Sequence, residues 1–115
     1  MVNGGGVTVM EQLDEKTIAG VLAKAALPVV LDFWGPSCAP CIVLSKLLVE
    51  LAPEFSGKLL FYKVNADDAP DTAADYGVRG LPTMVLIKKG PPAATQVGTL
   101  NVTKLRALLT DWAGR

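Results

Sequence analysis

The stretch that decides the fold is residues 29–41, VVLDFWGPSCAPC. Its first five residues, 29–33, are apolar except for Asp32. A short and almost wholly apolar run predicts a strand that is buried on both faces, which is typical of a central, parallel strand in a sheet. The residues 34–36, WGP, predict a turn, and the two cysteines that follow are therefore expected at the start of a helix.

Strands and helices alternate outward from this stretch. The predicted strands are 7–10, 29–33, 59–65, 84–87 and 94–97, and the predicted helices are 14–24, 38–55, 70–76 and 102–112. The first three connections contain helices, which suits parallel or crossover links, whereas the turn at Lys89 and Gly90 is too short for a crossover and predicts a hairpin. The order predicts an α/β fold with a mixed five-stranded sheet and helices on both faces.

The composition indicates one globular domain. The chain has 115 residues, of which half are apolar, and we expect a single domain over 7–115 and a monomer. Its 11 basic and 11 acidic residues cancel, which argues against nucleic acid or an anionic membrane as a partner. Residues 1–6 contain three successive glycines and predict a flexible tail. They lack the basic and apolar segments of a secretory signal, so we expect a cytoplasmic protein.

The two cysteines of the chain, Cys38 and Cys41, lie three positions apart at the predicted helix start. A helix N-terminus favours an anion and lowers the pKa of a thiol, and this spacing puts both side chains on one face. Ser37 is a candidate cap for the helix, and Pro40 is tolerated in its first turn. Two buried structural cysteines remain an alternative. So does a metal or iron–sulfur site shared between two chains, because the chain has no histidine and no third cysteine.

Two charged residues interrupt the predicted central strands. Asp32 is the one charged residue of 29–33, and Lys63 lies within the apolar run 59–64. A buried carboxyl needs a partner or a raised pKa, and close to a cysteine pair it is a candidate proton acceptor. Asp32 and Lys63 are candidates for partners on adjacent strands, although either residue could instead face water at a strand end or on an exposed face.

Taken together, these segments resemble the thioredoxin family over residues 7–113, nearly the whole chain. The matching segments are 32–34 (DFW), 38–41 (CAPC), 63–65 (KVN), 76–83 (YGVRGLPT) and 97–98 (VG). The resemblance implies the thioredoxin fold. It also implies a cis peptide bond before Pro82, whereas proline chemistry alone favours trans.

The resemblance also implies roles for the residues of the site. Cys38 would attack a substrate disulfide, and Cys41 would then break the mixed disulfide. Asp32 would take the proton of Cys41, with Lys63 beside it. The residues expected to contact the substrate are Trp34, Ser37, Ala39, Pro40, Gly80, Leu81, Pro82 and Gly98.

The function implied by the resemblance is thiol–disulfide exchange, mainly the reduction of protein disulfides. The expected partners are disulfide-containing proteins and a thioredoxin reductase. No bound cofactor is expected, because the chain lacks a nucleotide-binding glycine motif, and the electrons would come from a separate NADPH-dependent flavoprotein. The alternative from another class is a redox-sensitive binding module that grips a partner without turnover.

Five positions differ from the usual pattern of the family, and one of them is Pro36, which is unusual just before the cysteine pair. Ser37 stands where a tryptophan usually precedes the first cysteine, and Ala39 replaces a glycine. Ile42 replaces a basic residue, and Lys46 stands where the family has a proline that kinks the helix. These differences predict an altered range of partners on an unchanged fold.

Overall fold

The computed structural model describes residues 10–115. Its strands are β1 (Glu11–Leu13), β2 (Val29–Trp34), β3 (Leu60–Asn65), β4 (Thr83–Ile87) and β5 (Pro92–Val97), and its helices are α1 (Ile18–Lys24), α2 (Ala39–Leu51), α3 (Pro70–Asp75) and α4 (Val102–Ala113). The predicted tail 1–6 and most of the predicted first strand lie outside the described residues, and the domain limits 7–115 stay a prediction.

The five strands form one mixed sheet in the order β1-β3-β2-β4-β5. Strand β3 runs parallel to both β1 and β2, and β4 runs antiparallel to both β2 and β5. The predicted mixed sheet, the central position of β2 and the final hairpin are therefore confirmed. The connection through α3 reverses the chain direction between β3 and β4, so only the first two helical connections join parallel strands.

The sheet separates two apolar clusters. Strand β2 alternates between them, since Val30 belongs to one cluster and Leu31 and Phe33 belong to the other. Helices α2 and α4 cover the face of Val30 with Leu44, Leu48, Leu105, Leu109 and Trp112. Helices α1 and α3 cover the opposite face with Ile18 and Ala73. Helices on both faces were predicted, and Asp32 shares the face of Val30 because side chains alternate along a strand.

Three predicted boundaries are corrected by the structure. The first described strand is Glu11–Leu13, so Met10, placed in a strand by the prediction, precedes it. The helix predicted to reach 55 ends at Leu51 and continues as a 3₁₀ helix, Ala52–Phe55, because Pro53 has no N–H to donate to an α-helical bond. Asp14, expected as the cap of the first helix, lies in a turn before it, where its Oδ1 accepts the N–H groups of Lys16 and Thr17, and α1 begins at Ile18 with Thr17 as its N-cap.

The longest described helix is α2 with 13 residues. Within residues 10–115, no helix combines the length and the apolar character that crossing a membrane requires.

Candidate active site

The two cysteines meet at the start of α2. Cys38 and Cys41 are joined by a disulfide with their Cα atoms 5.3 Å apart, so the structure holds the oxidised form. Cys38 is the N-cap of α2. Its Sγ accepts a hydrogen bond from the backbone N–H of Cys41, with the nitrogen 3.2 Å from the sulfur. The prediction that Ser37 caps the helix is therefore wrong, because the chain enters the helix one residue later. Ser37 is exposed beside the pair.

The two sulfur-bearing residues differ in access. Cys41 is fully buried, whereas Cys38 is partly exposed. Helix α2 turns Cys41 inward with Leu44 and Leu48, while Cys38 lies at the helix end. An incoming disulfide can therefore approach Cys38 from solvent, whereas Cys41 has no exposed surface to offer it.

Asp32 is the buried ionisable group of the site. Its side chain is 0% exposed, and the hydroxyl of Ser45 donates to its Oδ2 at 2.7 Å. Burial raises the pKa of Asp32 to about 6, although the Ser45 hydrogen bond and the positive charge of Lys63 oppose this rise. The carboxyl therefore changes its charge close to neutral pH, as a group that takes and returns a proton must.

Lys63 lies beside Asp32 on the neighbouring strand but forms no ion pair with it. The two residues are direct partners in the register of β2 and β3, as the sequence predicted. The Nζ of Lys63 instead lies 5.3 Å from the ring centroid of Trp34, within the range of a cation–π contact. The Nε1–H of Trp34 donates to Oε1 of Gln12 at 2.9 Å. Trp34 thus links the edge strand β1 to the strand that leads to the cysteines.

The loop before β4 contains the expected cis bond between Leu81 and Pro82. The carbonyl of Pro82 accepts the N–H of Gly98 at 2.9 Å. Thr83 holds the other end of the loop, since its hydroxyl donates to the carbonyl of Gly80 at 2.6 Å. Gly98 has a φ of 87°, a conformation that favours glycine over any residue with a Cβ.

This loop touches the turn that leads to the cysteines. A Cβ added at Gly35 would lie 3.1 Å from Cδ1 of Leu81, so the leucine side chain packs directly on the glycine backbone. Gly35 also accepts the N–H of Cys38 through its carbonyl at 3.1 Å. Gly35 therefore contacts both Leu81 of the cis loop and Cys38 of the pair.

Exposed apolar side chains lie on the segments near the pair. Ile42 and Val43 lie in the first turns of α2, Leu81 lies in the cis loop and Val97 ends β5, and all four are more than one third exposed. Val97 pairs with Thr83 in register, which places it beside the cis loop. An apolar surface of this kind fits an unfolded or extended segment of another protein.

The sequence interpretation missed two contacts of the site. Ser45 was not considered, although it lies one helical turn after Cys41 among inward-facing leucines, a position at which a polar residue signals a buried partner. Gly35 was treated only as part of a turn, and its contact with Leu81 joins segments far apart in the chain. No local pattern could have revealed this second contact.

Comparison with known proteins agrees with this geometry. A family model of thioredoxin matches residues 9–111. A thioredoxin of Haemophilus influenzae is 45% identical over 93 residues, covering 81% of this chain and 87% of the relative. A thioredoxin of Pseudomonas aeruginosa is 44% identical over 86 residues, covering 75% of this chain and 80% of the relative. A chloroplastic M-type thioredoxin of Brassica napus is 39% identical over 98 residues, covering 85% of this chain and 55% of that protein.

The fold and the cysteine pair, together with these relatives, define a thiol–disulfide oxidoreductase that acts on disulfide substrates. The chain belongs to the thioredoxin family.

Proposed function

We propose that this chain reduces disulfides of a restricted set of proteins, with Cys38 as the attacking thiolate and Cys41 as the resolving thiol. The observation that carries these roles is the unequal access of the two joined cysteines, with Cys38 partly exposed and Cys41 fully buried. In the first step the Cys38 thiolate attacks one sulfur of the substrate, and the other substrate sulfur leaves as a thiolate. In the second step Cys41 attacks Cys38, the intramolecular disulfide forms and the substrate is released reduced.

The proposed groove for the substrate lies between the start of α2 and the cis loop. Gly80, Leu81 and Pro82 form one side of it, and Gly98 supports them through its bond to the Pro82 carbonyl. Ser37, Ala39 and Pro40 are exposed on the other side. An extended substrate segment could pair with the backbone near Leu81, as an added strand does at a sheet edge. Trp34 would contribute indirectly, since Lys63 and Gln12 hold its ring.

The proposed source of electrons is a separate thioredoxin reductase, an NADPH-dependent flavoprotein. Two thiols supply two electrons for each substrate disulfide, and the resulting Cys38–Cys41 disulfide must be reduced again before another turnover. The proposed location is the cytoplasm, with the chain acting as a monomer and without a bound cofactor. Thioredoxins can also occur elsewhere, since the Brassica napus relative is described as chloroplastic.

A coupled assay tests this proposal. With NADPH, a bacterial thioredoxin reductase and insulin as the protein disulfide, we expect NADPH oxidation that depends on the chain and stops in Cys38→Ser. The same assay without insulin controls for direct oxidation. If the chain accelerates insulin reduction by dithiothreitol above the rate with dithiothreitol alone, but the reductase supports no reduction, the reductase assignment is wrong and the exchange chemistry stands. A binding module without turnover would accelerate insulin reduction with neither donor.

The restricted range of partners follows from Ser37 and Ile42. Ser37 offers little apolar area beside Cys38, whereas a tryptophan there would give a broad and rigid contact. Ile42 is 48% exposed, and it lacks the cation that could steer acidic partners. We expect Ser37→Trp with Ile42→Lys to raise kcat/KM for insulin by about fivefold, equivalent to about 1 kcal/mol of contact, with little change for a small disulfide.

The comparison of two substrates separates recognition from reactivity. A small disulfide does not fill the groove, so its rate reports the thiolate alone. Equal acceleration of both substrates would locate the effect in the pKa of Cys38 and contradict the recognition argument. Ala26→Lys is the matched control for added charge, because Ala26 is exposed just before β2, at the end of the strand away from the cysteines.

A further inference from the structure

The carboxyl of Asp32 has two oxygens in different situations. Its Oδ2 accepts the hydroxyl of Ser45 at 2.7 Å. Its Oδ1 is buried and has no hydrogen-bond partner among the residues that the structure describes. A buried oxygen without a partner destabilises the fold, and such an atom calls for a functional explanation.

The contact with Ser45 locates this carboxyl relative to the cysteines. Cys41 and Ser45 are four residues apart on α2, so their side chains are neighbours on one face of the helix. Cys41 is fully buried, and the Ser45 hydroxyl reaches across to β2. Asp32 therefore contacts α2 one helical turn beyond the resolving cysteine, on the helix face that Cys41 shares.

We propose that Ser45 is a positioning residue for the resolving step, in which its hydroxyl occupies Oδ2 of Asp32 and leaves Oδ1 to take the proton of Cys41. This inference rests on the roles of the two cysteines given under the proposed function. The proton moves from Sγ of Cys41 to Oδ1, and the Cys41 thiolate attacks Sγ of Cys38. The Cys38–Cys41 bond forms, the bond from Cys38 to the substrate breaks, and the substrate sulfur leaves as a thiolate.

The same hydrogen bond favours the ionised form of Asp32, because a donor stabilises the carboxylate. It lowers the pKa of Asp32 against the larger effect of burial. The charged groups around the carboxyl are Lys63 on β3, and Lys46 and Glu50 on α2, which line one cleft with Ser45. The neighbour on β4 is Met84, which is apolar. Without the hydroxyl, only Lys63 still lowers this pKa.

Exchange with dithiobis(nitrobenzoate), in excess over the reduced full-length chain, separates the two steps. Attack by Cys38 releases one coloured thiolate, and resolution by Cys41 releases a second. We expect Ser45→Ala to slow the second release about threefold near pH 6.5, to move its half-maximal pH upward by about one unit and to leave the first release unchanged. At high pH the parent and variant should converge, since Cys41 then ionises without help.

A matched pair of variants removes the ambiguity of packing. Ser45→Thr keeps a hydroxyl and should retain the parental pH profile. Valine has nearly the same shape as threonine but no hydroxyl, so Ser45→Val should behave like Ser45→Ala. In an Asp32→Asn background, removal of the Ser45 hydroxyl should have no further effect on the second release. Thr110→Ala deletes a hydroxyl that donates to the carbonyl of Arg106 on α4 and serves as a distant control.

The outcomes distinguish this inference from the roles on which it rests. A second release with the parental pH profile in both Ser45→Ala and Ser45→Val would overturn the positioning role. Equal slowing of the second release in Ser45→Thr and Ser45→Val would assign the effect to packing, and it would also overturn the positioning role. A parent chain that releases only one thiolate would contradict the resolving role of Cys41 itself.

Discussion

Cys38→Ser is expected to reduce disulfide exchange at least about 100-fold, and Cys41→Ser is expected to trap the chain on its substrates. A serine hydroxyl at position 38 does not ionise near neutral pH and cannot replace the attacking thiolate. In Cys41→Ser the attack survives, but the thiol that breaks the mixed disulfide is absent. Mass spectrometry of the variant after reaction with a substrate disulfide should show one covalently attached substrate per chain.

The double variant with serine at both positions is the control for non-specific thiol chemistry and should attach nothing. The geometry of the pair gives the direction of this prediction, because the partly exposed Cys38 can be reached while the fully buried Cys41 cannot. If Cys41→Ser turned over at the parental rate, or if Cys41 were the cysteine that reacts with alkylating agents, the two roles would be reversed.

Asp32→Asn is expected to stabilise the oxidised protein at neutral pH, by up to about 3 kcal/mol. Burial raises the pKa of Asp32 from 3.8 to about 6, and one pKa unit corresponds to about 1.4 kcal/mol. In the unfolded chain the carboxyl ionises from about pH 4, whereas the folded protein holds its proton up to about pH 6. The parent therefore loses stability as the pH rises through this interval, and the loss is complete above it.

Urea unfolding of both proteins at several pH values measures this effect. The difference in the free energy of unfolding between Asp32→Asn and the parent should be small near pH 3, and it should grow in favour of the variant between about pH 4 and pH 6. Asp68→Asn is the control, since Asp68 is exposed and its replacement should add no such dependence. The same Asp32→Asn variant should slow resolution more than attack. A difference in stability that stayed constant with pH would contradict the buried charge.

The fold was predictable because its signals are local. The apolar run 29–33 predicted a central strand, and the short turn at Lys89 and Gly90 predicted a hairpin, which β4 and β5 form. The order of the strands was not predictable in the same way. The position of β3 between β1 and β2 depends on how helical connections cross the sheet, and hydrophobic periodicity contains no information about that choice.

The site was predictable to the extent that a motif describes it. The spacing of the cysteines and the resemblance gave the pair, Asp32 and the cis bond before Pro82. The contacts of individual side chains were harder to predict from the sequence, because one polar group can choose among several hydrogen-bond or charge partners. Lys63 was expected beside Asp32 and is its register partner on β3, but its ammonium group forms a cation–π contact with the ring of Trp34. Cys38 in turn occupies the cap position expected for Ser37, because its own Sγ can accept the N–H of Cys41.

The sheet that separates the two apolar clusters also separates two design problems. Leu31 and Phe33 of β2 face α1 and α3. Asp32 lies on the other face, where it accepts a hydrogen bond from Ser45 of α2, the helix that begins at the cysteine pair. An engineer seeking a more stable protein should therefore begin with the layer beneath α1 and α3, because we expect substitutions there to disturb thiol–disulfide exchange less than substitutions beneath α2.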